Sequence, residues 1–314
     1  MSLERTRSKL AEHGGLAGYG RSMAAENRVA LLLVTPTLVT IMLILWVPFL
    51  RGLWISFHEW PIVGERQFVG VDNYAFLLGW DQFYTSLKAT VVYGLSTLIQ
   101  LFVAIVAALI ISNQQRFENV TSGLFLLPYT LPPVVSGTIW LYLLNSNFGP
   151  TWEAFQMIGI LSEPLFWRSQ GDLALAVVTL VGAWTFWPFM FLIILATLES
   201  IPREHYEAAE IYGASRIQRF LRVTLPQLKS AIIVAVTLRT IWNLSKVAQP
   251  FQMTQGGPGY DTTVLGILVY RFAYLNGEMG LSFSAGVFLL LITLTFIYVF
   301  LRQYEKSDQT ELRG

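Results

Sequence analysis

"EHYEAAEIYGASRIQRFLRVTLPQL", residues 204–228, is a polar, helix-forming stretch set between two long apolar runs. Its boundary signals predict a small hairpin. Ser200 is placed to cap a helix whose first turn holds Pro202, and that helix runs to about Tyr212. Gly213 supplies the left-handed residue that ends it. Ser215 and Gln218 have the S-x-x-Q spacing that starts a second helix, which must stop before Pro226. Ala208 and Ala209 make a smooth patch flanked by Glu207 and Glu210, and Arg216, Arg219 and Arg222 follow on the second helix. A hairpin this small buries little surface by itself. It either docks into another protein or packs on the apolar runs of its own chain.

Those runs set the class. Of 314 residues, 54% are hydrophobic and 13% charged, where a soluble domain carries about 25% charged residues. The apolar residues are gathered into blocks, as in a polytopic membrane protein. Six stretches reach the roughly 20 residues a spanning helix needs: 29–50, 87–112, 122–144, 173–198, 229–250 and 280–301. The first follows a 28-residue polar segment and reads as an uncleaved span. Pro36, Pro48, Pro128, Pro132 and Pro133 fall in spans one and three, which membrane helices tolerate where neighbours satisfy the freed backbone groups.

The expected organisation is an N-terminal segment 1–28, a first transmembrane helix 29–50, a loop 51–86, a core 87–301 with the hairpin at about 200–228, and a tail 302–314. Fourteen Lys and Arg residues fall on the side that holds both termini and the hairpin, against four on the other. The N- and C-termini are therefore expected to be cytoplasmic and the 51–86 loop extracytoplasmic. In an outer loop, "TWEAFQMIGI" (151–160) places Trp152, Phe155 and Ile158 at helical spacing. That fits a short interfacial helix and equally an ordinary apolar loop.

Several classes are excluded. A net charge of +1 gives no electrostatic basis for a nucleic-acid partner. There are no cysteines, hence no disulfide, thiol catalysis or zinc-thiolate site. His13, His58 and His205 are scattered, so no metal site is expected. No GK[ST] phosphate loop occurs, so ATP is expected on other subunits and no cofactor on this one. No nucleophile–base constellation points to an enzyme.

The motif E-A-A-x-x-x-G (Glu207, Ala208, Ala209, Gly213), followed by Leu225-Pro226, resembles the cytoplasmic signature of permease subunits of binding-protein-dependent ABC importers. "FVGVDNYAFLL" (68–78), "FLLPYTLPPVVSGTIW" (125–140), "WTFWPF" (184–189) and "TQGGPG" (254–259) resemble the carbohydrate-uptake branch, the maltose and glycerol-phosphate type. The resemblance covers about residues 28 to 301. It implies an all-α integral membrane protein with six transmembrane helices in the type I ABC importer permease fold, in the cell membrane. It implies that the hairpin is a coupling helix inserted into an ATPase subunit, with Glu207, Ala208, Ala209 and Gly213 transmitting motion and Leu225 and Pro226 fixing its exit. The implied partners are a second homologous permease subunit, two ATPase subunits, an extracytoplasmic substrate-binding protein and membrane lipid. Tyr212 stands where the family usually has Asp, and Ser230 where it often has Pro.

Candidate path residues follow. On a continuous helix, Arg239, Asn243, Lys246 and Pro250 fall within about 60° of each other as one polar stripe. Charges in spans face cavities or polar partners, so the stripe reads as lining a sugar path or as a contact with the partner permease. Thr185 and Phe189 share a face of span four, where an aromatic ring suits a sugar's apolar face and also suits plain packing. "MTQGGPGYDTT" (253–263) reads as a tight, protruding outer turn. By resemblance, Gly256, Gly257, Pro258 and Gly259 touch the binding protein there; a plain surface turn has the same pattern. A neutral sugar needs neither cation. Glycerol phosphate or another anionic sugar derivative would, and a partner's carboxylate would equally neutralise them. The rival class is a secondary transporter driven by an ion gradient without an ATPase, against which stand the lack of acidic residues in all six spans and the lack of a clear internal repeat.

Overall fold

The computed structural model describes residues 32–112 and 118–311. The expected segment 1–28, Arg116 and Arg313 lie outside the described residues. The chain divides into two units, Met1–Ile55 and Ser56–Gly314. The first contains helix α1 (Leu32–Ile55), apolar and long enough to cross a membrane. It includes a π-helical turn at Met42–Trp46. The Thr40 hydroxyl donates to the Pro36 carbonyl at 2.8 Å, the back-bonding that makes a hydroxyl tolerable in an apolar helix.

The second unit opens with a two-stranded antiparallel hairpin, β1 (His58–Glu59) and β2 (Gln67–Phe68), then α2 (Asp72–Leu78). The long helices follow: α3 (Asp81–Ser112), α7 (Gly171–Ser200), α9 (Arg216–Leu244) and α12 (Met279–Glu311). Between them lie α4 (Glu118–Thr130), α5 (Pro133–Leu143), α6 (Pro150–Met157), α8 (Arg203–Ile211), α10 (Ala248–Thr254) and α11 (Leu265–Tyr270). Among the described residues five helices are long and apolar enough to span, and six spans result if the bent α4–α5 pair is one of them.

That pair corrects an expectation. Residues 122–144 read as one continuous span, but the helix breaks and turns by 92° between Thr130 and Pro133. A residue preceding proline is barred from the helical region, and Pro132 accordingly lies extended at ψ 138°. Pro133 then opens α5 at its first positions, where its missing N–H is harmless. Two adjacent prolines thus end one helix and start another.

The packing centre is the α3–α7 crossing. Ala104, Ala107 and Ala108 of α3 are small enough to admit Met190, Phe191 and Ile194 of α7, all buried. Small residues serve this end in membrane bundles, because backbones must approach closely for dispersion to hold them. Gly182 is the tightest point: a Cβ there would lie 2.5 Å from the Tyr93 phenol oxygen. The outer segment "TWEAFQM" does form a helix, α6. Its Trp152 is buried, with Nε1 donating to the Leu144 carbonyl at 3.1 Å, and Trp167 donates to the same oxygen at 2.7 Å. Ile158 falls just past the helix end and is exposed.

Gly182→Val is expected to destabilise the detergent-solubilised protein by about 1–3 kcal/mol through overpacking, read as a lower thermal unfolding midpoint. Gly123→Ala, where a Cβ meets nothing within 4 Å, is the control and leaves the midpoint unchanged.

Candidate functional site

The hairpin forms, with two corrections. Ser200 does not cap α8: its hydroxyl donates to the Thr197 carbonyl at 2.7 Å at the end of α7, and Pro202 occupies the N-cap position. A serine inside a helical last turn is already committed to its own helix and is not free to serve the next one. Gly213 adopts φ +72°, which a side chain would resist, and its N–H closes the turn on Glu210 O at 2.9 Å. The capping box is present: Gln218 N donates to Ser215 Oγ at 3.3 Å, and Ser215 N to Gln218 Oε1 at 2.8 Å.

The second helix does not stop before Pro226. A π-helical turn at Phe220–Thr224 leads into Leu225, and the helix continues to Leu244 as α9. Pro226 sits at the first positions after the π turn. The shifted hydrogen-bond register there relieves the need for its N–H and makes room for its ring. Three contacts brace α8 against the base of α9. Arg219 Nη1 meets Glu210 Oε2 at 3.1 Å, the Tyr206 and Thr224 hydroxyls lie 3.1 Å apart, and Gln227 Nε2 is 2.9 Å from His205 Nδ1. Glu207, Ala208, Gly213 and Pro226 are exposed, and Ala209 and Leu225 half-buried. At the tip Ile211, Tyr212 and Ile217 are 84%, 89% and 73% exposed.

Higher on α9 lies a buried polar network. Arg239 is 1% exposed. Its Nε donates to Gln100 Oε1 at 2.9 Å and its Nη2 to Asn243 Oδ1 at 2.5 Å. Asn243 in turn donates to Thr97 at 2.9 Å and Ser96 at 3.2 Å on α3. A second knot lies nearby. Gln249 Nε2 donates to the Thr185 hydroxyl at 2.7 Å and to Ser136 at 3.0 Å, and its Oε1 accepts from Tyr93 at 3.2 Å. Tyr93, Ser96, Thr97 and Gln100 follow helical spacing along one face of α3. They were missed in reading the sequence, although this 3–4 spacing of polar residues in an otherwise apolar span is the signal that marks them.

The single stripe expected over 239–250 does not exist. α9 ends at Leu244, and Lys246 lies in the break before α10, which carries Gln249 and Pro250. Arg239 and Asn243 share a helix face; Lys246 reaches the group from a loop. Its Nζ lies 4.3 Å from the Phe186 ring centroid, and the Arg239 Cζ 4.7 Å from the same centroid. Thr185 is fully buried in the Gln249 knot, while half-buried Phe189 packs edge-on against Trp242 at 4.8 Å. Thr185 and Phe189 thus serve different surroundings.

The 253–263 segment is also corrected: it folds back rather than protruding. The Thr254 and Thr262 hydroxyls meet at 2.6 Å, and Thr262 and Thr263 donate to the carbonyls of Gly257 and Gly256, each at 2.8 Å. Gly256 is buried at φ +91°, with the Thr263 hydroxyl 2.3 Å from where its Cβ would lie. Gly257 and Pro258 are half-buried and Gly259 exposed. Side-chain hydroxyls that take up a turn's own carbonyls make it compact.

A family profile described as "Binding-protein-dependent transport system inner membrane component" matches residues 100–308. The chain is 30% identical over 279 residues to the trehalose/maltose transport system permease protein MalF of Thermococcus litoralis, covering 88% of this chain and 94% of that protein. It is also 30% identical to the sulfoquinovosyl glycerol transport system permease protein SmoG of Agrobacterium fabrum, covering 90% and 92%. In fold it is similar to a chain of a bacterial ABC transporter involved in import of the acidic polysaccharide alginate. That match has a TM-score of 0.78 at 22% identity and covers 91% of this chain and 99% of that one.

Gln100→Leu strands the Arg239 Nε in a buried site and is expected to cost about 1–3 kcal/mol or more. Arg239→Met added to Gln100→Leu should recover part of that loss, because the unpaired charge goes with it. Thermal unfolding of the two variants checks the order; a double variant no more stable than Gln100→Leu refutes it.

Proposed function

This chain belongs to the family of binding-protein-dependent transport system inner membrane components, and on that premise we propose that it is a permease subunit of an ATP-driven importer of a sugar or sugar derivative. Relatives named for trehalose/maltose and sulfoquinovosyl glycerol transport support the cargo class. In this reading the termini and hairpin are cytoplasmic, a second permease subunit completes the path, two ATPase subunits supply the energy, and a binding protein delivers cargo. A solved relative in fold is described in complex with a periplasmic protein carrying an alginate pentasaccharide, which supports the last of these.

The observation that carries the coupling is the hairpin tip. Ile211, Tyr212 and Ile217 expose three large apolar side chains on a rigidly capped turn. A cluster of this kind marks a protein-binding surface. Glu207, Ala208, Ala209 and Gly213 form the face and corner of the element that docks, and Leu225 and Pro226 carry its motion through the π turn into α9. The same helix holds Arg239 and Asn243. A displacement at the tip is thereby delivered to the polar network. Lys246, Phe189 and Thr185 belong to the path in this reading. In the 256–259 turn, Gly257, Pro258 and Gly259 offer a compact, preformed surface to the binding protein, and buried Gly256 shapes it from beneath.

Glu207→Lys and Gly213→Pro are expected to abolish copurification of the ATPase subunits and ATP-dependent uptake, with the level of this chain in the membrane unchanged. Proline fixes φ near −65°, opposite in sign to the +72° the turn requires. Normal assembly and uptake by either variant would refute the joint.

A further inference from the structure

Two cations share one aromatic ring. The Arg239 Cζ and the Lys246 Nζ lie 4.7 and 4.3 Å from the Phe186 ring centroid. Every hydrogen-bond partner of Arg239 is neutral: Gln100 and Asn243. Among the described residues the ion pairs are Lys88–Asp172 and Arg219–Glu210, so neither cation has a carboxylate in salt-bridge range. The six apolar stretches contain no Asp or Glu, so the carboxylates of the helices around the ring (Asp81, Asp172 and Glu199) lie only near the helix ends. Like charges held close in a low-dielectric interior repel. One ring quadrupole, shared between two cations, offsets only part of that.

The surroundings have a second property. Lys246 stands in the break between α9 and α10 and is half-buried, so its ammonium can be approached. Trp242, whose ring centroid lies 5.8 Å from the Arg239 Cζ, is 38% exposed and packs against half-buried Phe189. A half-buried cation and an exposed aromatic face thus border the buried Arg239.

We propose that Phe186, Arg239 and Lys246 form an anion-selecting site and that the cargo is a sugar carrying an oxyanion: a carboxylate, sulfonate or phosphate. The sugar ring lies on Trp242 and Phe189. The anionic group meets the Lys246 ammonium directly, and Arg239, fixed by Gln100 and Asn243, adds a permanent field from behind the ring. A neutral sugar would draw hydrogen bonds from uncharged donors and would leave both charges unrelieved. This inference rests on the reading of the chain as a sugar importer subunit and narrows its cargo.

The absence of cysteine in the chain makes a direct test possible. In the complete transporter, with its other subunits freed of reactive cysteines and placed in nanodiscs open on both faces, Trp242→Cys provides a reporter thiol next to Arg239 and four residues before Lys246. Its modification rate is measured with a negatively charged sulfonatoethyl and a positively charged trimethylammonioethyl methanethiosulfonate. In each reaction the thiolate attacks the reagent's sulfur, a mixed disulfide forms and methanesulfinate leaves. The reference is Met157→Cys, at a position 83% exposed. The expected ratio of anionic to cationic rates at position 242 is about tenfold or more above the reference, as a focused positive potential requires. Lys246→Gln in the same background brings it down towards the reference. Equal ratios at 242 and 157 overturn the proposal, as they would if a partner's carboxylate neutralises Lys246, and so does a thiol that neither reagent reaches. Because Glu207→Lys reports on ATPase assembly independently, a flat ratio in a normally assembling transporter defeats charge selection alone and leaves the importer reading intact.

Discussion

A guanidinium inside a lipid-embedded bundle must be given partners by its own fold, and Arg239 sets how the central helices meet. Its side chain is 1% exposed and reaches across from α9 to Gln100 on α3, with Asn243 one turn further along α9 closing the fork. Asn243 is itself held by Ser96 and Thr97. The network fixes both the rotation of α9 about its axis and its register along α3. Apolar packing alone would leave these loosely set, since lipid tails compete with Leu and Val on equal terms. The arrangement is one of direction as well as strength. Fixed donors and acceptors have one good geometry, whereas a greasy face has many.

The same helix runs to the surface without interruption. From Arg216, through the π turn at Phe220–Thr224, to Leu244 the chain stays helical, so the hairpin and the polar network are two ends of one rod. The braces at its base are polar and short: Tyr206 to Thr224, His205 to Gln227, Arg219 to Glu210. Exposed pairs of this sort add little stability. Their effect is to hold α8 at a set angle to α9, which is what the proposed coupling requires of the joint.

Much of this was legible in the sequence. The spans followed from length and apolarity, the hairpin from Gly213 and the Ser215–Gln218 box, and the family from E-A-A-x-x-x-G with its accompanying motifs. The errors share a cause. Ser200, Pro226 and Pro132 were each read by local rules that assume a helix is either whole or finished. Ser200 was already engaged by Thr197, Pro226 was accommodated by a π turn, and Pro132-Pro133 split a helix that composition had joined. The polar stripe failed for the same reason: a periodicity drawn through 239–250 assumes unbroken helix, and the break after Leu244 removes Lys246 and Pro250 from the face. Hydropathy weighs side chains and is nearly blind to where the backbone changes its hydrogen-bond register. The compact fold of the 254–263 loop was hidden because hydroxyls of Thr254, Thr262 and Thr263 satisfy one another and the turn at distances that spacing alone does not reveal.

The two breaks belong together. α5 begins after the Pro132-Pro133 corner and α10 after the Ser245–Val247 break, and these two short helices meet. A Cβ on Gly137 would come within 3.2 Å of the Gln249 carbonyl, and Ser136 accepts from the Gln249 side chain. Interrupted helices inside a membrane leave backbone groups without partners, and such groups are tolerated only where protein or a water-filled cavity satisfies them. Here each broken element supplies polar side chains to the other, and Thr185 of α7 and Tyr93 of α3 close the ring. The irregular backbone is thus gathered in one place, beside the cations and the aromatic face. A transport path needs polar groups at mid-depth that can change partners. The polar contacts of the short helices are side-chain hydrogen bonds, whereas α3 and α7 meet through small residues packed along their crossing. Close packing and broken, polar backbone are thereby assigned to different helices by the same sequence features, alanine and glycine for one and paired proline and glutamine for the other.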